Sequence, residues 1–166
     1  MLIEVSVANY RSIHDTQTFS LMKGSGNERV DSNSFVVEAA NRFELLRSSA
    51  IYGPNASGKS NFLLALRTLQ QIVLESASAR QHGDSLPVVP FRLCPQARTQ
   101  PSEFEVTFLV EGVRYQYGFS ATTARIHEEW LLAYPKGRAQ RWFTRAWNDD
   151  KQCHEWELGS NLLGEK

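Results

Sequence analysis

The chain has 166 residues, of which 42% are apolar and 22% charged. That apolar share supports one packed domain, or part of a larger one, and excludes a disordered chain. The 18 basic residues balance the 18 acidic ones at zero formal net charge, so no global field draws the chain toward nucleic acid or an anionic membrane. A local basic patch stays open.

The N-terminal run Met1-Leu2-Ile3-Glu4-Val5 has no basic segment leading an apolar one, so it does not read as a secretory signal. No apolar run approaches membrane-spanning length. Cys94 and Cys153 lie far apart with no CxxC pair, which reads as two free thiols in a reducing compartment. The expected location is cytoplasmic, with no membrane partner.

Ile3, Val5 and Val7 alternate with Glu4 and Ser6, the pattern of a strand with one buried face. A second strand is expected over Thr16 to Met22, then a mobile loop over Lys23 to Asn27, then a short strand over Phe35 to Ala39. Ser48 to Tyr52 is short and mixed. It runs straight into Gly53 and is read as the strand before a loop. After Ser60 the period changes. Phe62, Leu66, Leu69 and Val73 recur at helical steps with Arg67, Gln70 and Gln71 between them, which predicts an amphipathic helix over Lys59 to Ser76. Residues 77–87 are small and polar and read as a loop.

From Glu103 onward the chain predicts an antiparallel meander. Phe104, Val106, Phe108 and Val110 form one alternating run. Glu111-Gly112 is a tight turn, and Val113, Tyr115, Tyr117 and Phe119 form the next run. Further strands are expected over Ile126 to Tyr134, Gln140 to Trp147 and His154 to Leu158. Turns at Pro135-Lys136-Gly137 and Asn148-Asp149-Asp150 separate them.

The segment that carries chemistry is Gly53-Pro54-Asn55-Ala56-Ser57-Gly58-Lys59-Ser60, which fits GxxxxGK[ST] at every fixed position. A loop wrapped around a triphosphate must turn several backbone N–H groups inward and come very close to the anion. Gly53 and Gly58 permit that approach. Lys59 supplies a point charge for the β- and γ-phosphates and is the candidate catalytic residue. The Ser60 hydroxyl suits Mg²⁺, a hard cation, and the helix opening there adds the positive end of its dipole. ATP with Mg²⁺ is the expected ligand.

The longer run Tyr52 to Asn61 resembles the phosphate loop of ABC-type ATPase heads of the SMC/RecF class. Val7-Ala8-Asn9-Tyr10-Arg11-Ser12-Ile13 resembles the N-aromatic-R-S run near their first strand. Ala56 stands where SMC and RecF proteins usually have glycine. That variant is similar to the AAA-family ATP-binding proteins of abortive infection and phage defence, as are Glu128 to Leu131, Pro135 to Arg138 and Phe143-Thr144-Arg145. The resemblance implies an α/β P-loop fold: an ABC-head-like N-terminal lobe, with a mixed β-sheet, one main helix after the loop and an antiparallel meander. It implies a nucleotide-binding core over residues 1–76 and a meander over 86–160. It also implies that Asn61 belongs to the site, that Arg11 lies near the nucleotide phosphates or sugar, and that Asn9 helps place it. Tyr10 is read as a core or edge aromatic. Implied partners are a second ATPase head, giving a homodimer, and an effector nuclease or DNA.

One departure bears on turnover. The family completes its site with an Asp-Glu pair after an apolar run, a serine-glycine signature from a second head, and a histidine. None of these is present in the sequence. His127-Glu128-Glu129 lacks the apolar lead and reads as surface charge. The chain is therefore expected to be the N-terminal half of an ATPase, with the C-terminal half missing, that binds ATP with little hydrolysis. The alternatives are an ATPase when complete, a non-hydrolysing regulatory module or remnant, and, least in keeping with the later strands, a small phosphotransferase or GTPase. His14, His82, His127 and His154 lack metal-ligand spacing. The basic run Lys136, Arg138, Arg141 and Arg145 beside Trp142 and Trp147 reads as a solvated hairpin with core aromatics, or else as a nucleic-acid contact.

Overall fold

The computed structural model describes residues 1–26, 30–76, 85–160 and 162. Two strands open the chain, β1 (Leu2–Ala8) and β2 (Gln17–Ser20). A short helical turn α1 (Val30–Asn33) and the hairpin β3 (Ser34–Val37) and β4 (Phe43–Leu46) follow. The main helix is α2 (Lys59–Ser76). The chain then forms β5 (Ser102–Val110), β6 (Val113–Ala121), β7 (Ile126–Tyr134), β8 (Gln140–Asn148) and β9 (Cys153–Leu158).

Seven strands form one sheet in the order β2-β1-β5-β6-β7-β8-β9, and β3 and β4 form a separate pair. Every ladder among the described residues is antiparallel, so the expected mixed sheet is corrected. The reason is connectivity. A parallel neighbour needs a crossover that returns the chain in the same direction. Here the chain after α2 re-enters as β5, antiparallel to β1, and then extends the sheet by hairpins. The expected strand at Ser48–Tyr52 is irregular for the same reason, since no described strand pairs with it. Tyr52 is 91% exposed.

The meander follows the alternation in the sequence. Phe104 pairs with Phe119 and Val106 with Tyr117, which brings the Phe104 and Phe119 rings into a stack at 5.2 Å. Glu111 and Gly112 both take positive φ, 50° and 77°, as a two-residue hairpin turn requires. Gly118 faces Trp130 across the next ladder. A Cβ there would run into the indole and come within 2.9 Å of the Phe104 carbonyl, so the close approach needs glycine.

One face of β1, β5 and β6 takes α2. Val5, Val7, Tyr10, Phe104 and Phe119 pack with Phe62, Ala65 and Ile72 of the helix. The buried stripe of α2 is turned slightly from the one the sequence predicts, because Val73 is 39% exposed while Ala65 and Ile72 are buried. A second cluster, Ile3, Val37 and Leu45, seats the β3–β4 hairpin. Lys23 to Gly26 are irregular, as expected of a loop. Asn27 and residues 77–84 of the predicted loops lie outside the described residues.

One surface reading is corrected by the sheet. Glu129 is not surface charge: its side chain is only 13% exposed. It accepts a hydrogen bond from the Tyr117 hydroxyl at 2.6 Å and forms an ion pair with Arg145. Arg145 Nε meets that carboxylate through charge, without an acceptor in hydrogen-bonding geometry. The basic run is a solvated hairpin as read, with Lys136, Arg138 and Arg141 exposed, but Trp142 and Trp147 are half-buried and not core. Arg141 pairs with Glu157 at 2.8 Å, and Arg145 lies over the Trp156 ring at 5.1 Å.

Candidate phosphate-binding site

α2 begins at Lys59, inside the GxxxxGK[ST] run. The first amides of any helix lack partners within it and carry the positive end of its dipole. The loop before it is shaped to extend that set of donors. Ala56 and Gly58 take φ of 63° and 95°, with Ser57 between them outside the left-handed region. Alternation of this kind turns successive N–H groups to one side and makes a concave anion nest. Ser57 N–H donates to Pro54 O at 3.3 Å and closes the loop's outer turn.

Lys59 holds the loop in this shape. Its ammonium donates to Gly53 O at 2.8 Å and to Pro54 O at 2.7 Å, and it lies 3.4 Å from Ser57 Oγ. The cation thus sits at the mouth of the nest, on two carbonyls that a bound polyanion would not need. A Cβ at Gly53 would stand 2.8 Å from Ser57 Oγ, so the serine hydroxyl would have to turn away.

A cleft of about 550 Å³ opens over the loop. One wall is Gly53, Pro54, Ser57, Gly58 and Lys59. The lining also takes Ser12, His14 and Asp15 from the β1–β2 connection, Thr18 and Phe19 from β2, and Phe62 from α2. This volume lies within the range of about 300–1,000 Å³ usual for small-molecule sites. Asn55, Ala56, Ser60 and Asn61 belong to the loop and first helical turn but are not on the cleft wall. Ser60 is exposed at the start of α2.

The Asn9–Ser12 run is placed beside the loop, but its side chains divide their work. Asn9, nearly buried, sends Nδ2 to Ala97 O at 2.8 Å, Gln100 O at 2.9 Å and Pro101 O at 3.1 Å. Its Oδ1 accepts from the Phe91 amide at 3.0 Å. Its amide therefore ties down the 91–101 segment and does not reach the cleft. Tyr10 is buried, with its hydroxyl 2.9 Å from Thr68 Oγ1. Arg11 donates from Nε to the Tyr10 hydroxyl at 3.1 Å, and its guanidinium is not among the groups that line the cleft.

Sequence reasoning passed over Ser12, His14 and Asp15 as cleft residues. Ser12 stands in the motif that drew attention to Arg11, so a signal existed. His14 and Asp15 follow it directly, and nothing local distinguishes them from surface polars. His14 Nδ1 lies 2.9 Å from Asp15 Oδ1, and its ring meets Phe91 edge-on at 4.8 Å. Hydrogen bonding with Cys94 and then with Asp15 raises the His14 pKa. The Cys94 thiol is held below its usual range first by the Ala97 amide, against burial as the next largest effect, and then by the Gln96 amide and His14.

The chain matches, over residues 48–161, the family model described as "AAA domain, putative AbiEii toxin, Type IV TA system". No curated protein matches it. No helix of the described residues is long and apolar enough to cross a membrane.

Proposed function

The chain belongs to this AAA-domain family, and on that premise we propose that it binds Mg²⁺-ATP through the loop Gly53–Ser60. The observation that carries the reading is the nest itself: left-handed Ala56 and Gly58 before the first amides of α2, with Gly58 and the Lys59 ammonium lining a cleft large enough for a nucleotide. A triphosphate offers acceptors, and the loop offers it the Lys59 ammonium and the first amides of α2 as donors. On binding, Lys59 exchanges the Gly53 and Pro54 carbonyls for phosphate oxygens. Ser60, exposed at the start of α2, would offer its Oγ to Mg²⁺ as one oxygen ligand. The metal, when bound, would neutralise charge on the phosphates.

The chain alone binds with little turnover. Hydrolysis depends on a group that positions the attacking water. Asp15 is the one carboxylate on the cleft wall among the described residues, and it is engaged by His14. Glu129 is held on the meander by Tyr117 and Arg145. In a complete ATPase the remaining groups would come from an Asp-Glu pair and from a second head, with paired heads driving an effector in DNA-related or antiphage defence in the cytoplasm. A non-hydrolysing regulatory module is the second reading, and the His14-held Asp15 favours it.

The test is titration with a fluorescent ATP analogue, with and without Mg²⁺. Saturable binding that Lys59→Ala weakens at least about ten-fold supports the assignment, the loss expected for one charged hydrogen-bonding group. Equal binding by wild type and Lys59→Ala refutes it.

A further inference from the structure

The turn after β1 is unusually well fixed. Tyr10 and Ile13 exchange two backbone hydrogen bonds of 2.8 Å each, and the Arg11 amide donates to Val89 O at 2.8 Å. Asn9, one residue earlier, is tied to four backbone groups of the 91–101 segment. Ser12 rides at the tip of this turn and lines the same cleft as Gly58 and Lys59. Its hydroxyl accepts from Asn61 Nδ2 at 2.7 Å. It also lies close over Gly58, where a Cβ would stand 3.1 Å from Ser12 Oγ.

A hydroxyl carries one proton and two acceptor lone pairs. Asn61 occupies one lone pair of Ser12 Oγ and fixes the orientation of the group. No hydrogen bond among the described residues takes up its proton. A fixed donor facing a cleft beside an anion nest has one obvious class of acceptor, a phosphoryl oxygen.

We propose that Ser12 is a phosphate-binding residue of this cleft, donating its hydroxyl proton to the polyphosphate from the turn that lies over Gly58. Asn61 is then a positioning residue that acts through Ser12, with its side-chain amide turned to the turn and not to the ligand. This deepens the Mg²⁺-ATP reading and rests on it. The turn and the first turn of α2 become the two halves of one clamp, and the absence of a side chain at Gly58 lets them close.

The experiment is titration of a fluorescent ATP analogue into the full chain carrying Ser12→Ala, Ser12→Thr or Asn61→Ala, with the thermal midpoint of each measured in parallel. Ser12→Ala is expected to weaken binding about ten-fold, the scale of one hydrogen bond to a charged acceptor. Ser12→Thr, which keeps the hydroxyl, should restore most of the affinity. Asn61→Ala should give a smaller loss. Normal wild-type binding with an unchanged Ser12→Ala affinity overturns this inference alone. So does a loss shared equally by Ser12→Ala and Ser12→Thr, which marks a packing role. Absence of binding by the wild type overturns the nucleotide reading together with this one.

Discussion

Asn9 and Phe91, 82 positions apart, are joined by a 3.0 Å hydrogen bond from the Phe91 amide to Asn9 Oδ1. The same side chain gives its amide protons to three carbonyls of the segment that leads into β5. Asn9 also sits at φ 49°, a conformation that asparagine tolerates better than most residues. Asn9→Ala removes the four bonds, takes this partner from the Phe91 amide and the part-buried Gln100 and Pro101 carbonyls, and keeps the unfavourable φ. The expected cost is about 2–4 kcal/mol of unfolding free energy. Urea denaturation checks it, and an unchanged midpoint would contradict the role given to Asn9.

Ala56 occupies a left-handed position of the nest at φ 63°. A side chain there costs about 1–2 kcal/mol relative to glycine. Ala56→Gly relieves that cost but adds freedom to the unfolded chain, so global stability should move by less than about 1 kcal/mol. The nest itself should form more readily, with nucleotide affinity equal to wild type or up to about five-fold tighter. Ala56→Val, β-branched, should weaken binding at least about ten-fold with little change in thermal midpoint. Parallel binding curves decide it, and a tighter-binding valine variant would contradict the nest geometry.

These positions show what the sequence could and could not convey. α2 spans Lys59–Ser76, as its periodicity predicts, because the motif marks its start and an apolar stripe marks its length. The Glu111-Gly112 turn and the alternation around it are local signals too. Asn9 is different. In the chain it is one letter of a nucleotide-site motif, and its work depends on carbonyls some 90 residues away. Glu129 reads as surface charge until β6 and β8 bring Tyr117 and Arg145 to it. Ser48–Tyr52 has a strand's composition without a strand's partner, and partnership is not written locally. The shape of the 53–60 loop is legible for the opposite reason, since it is set by eight consecutive residues and the helix that follows them.

Cys94 and Cys153 are both free thiols, but their surroundings differ. The Ala97 amide, Gln96 and His14 favour the Cys94 thiolate, while Cys153 lies exposed on the edge strand β9. A lowered pKa means more thiolate near pH 7. Iodoacetamide should therefore alkylate Cys94 roughly three-fold or more faster than Cys153 at that pH. The advantage should shrink as pH rises past about 8.5, where thiols generally ionise. His14→Asn should reduce it. Peptide mass spectrometry gives both rates from one sample, and equal rates at pH 7 would contradict the description of the His14–Cys94 contact.

The central claim is that the amides from Gly53 to Ser60 converge on a polyphosphate. Two-dimensional amide NMR of the full chain, titrated with Mg²⁺-ATP, examines those groups one by one. The account predicts that the amides of Gly53, Ala56, Ser57, Gly58, Lys59 and Ser60 shift most and exchange more slowly with solvent, and that Lys59→Ala suppresses the response. Saturable shifts located elsewhere on the chain, with these six amides unmoved, would contradict it.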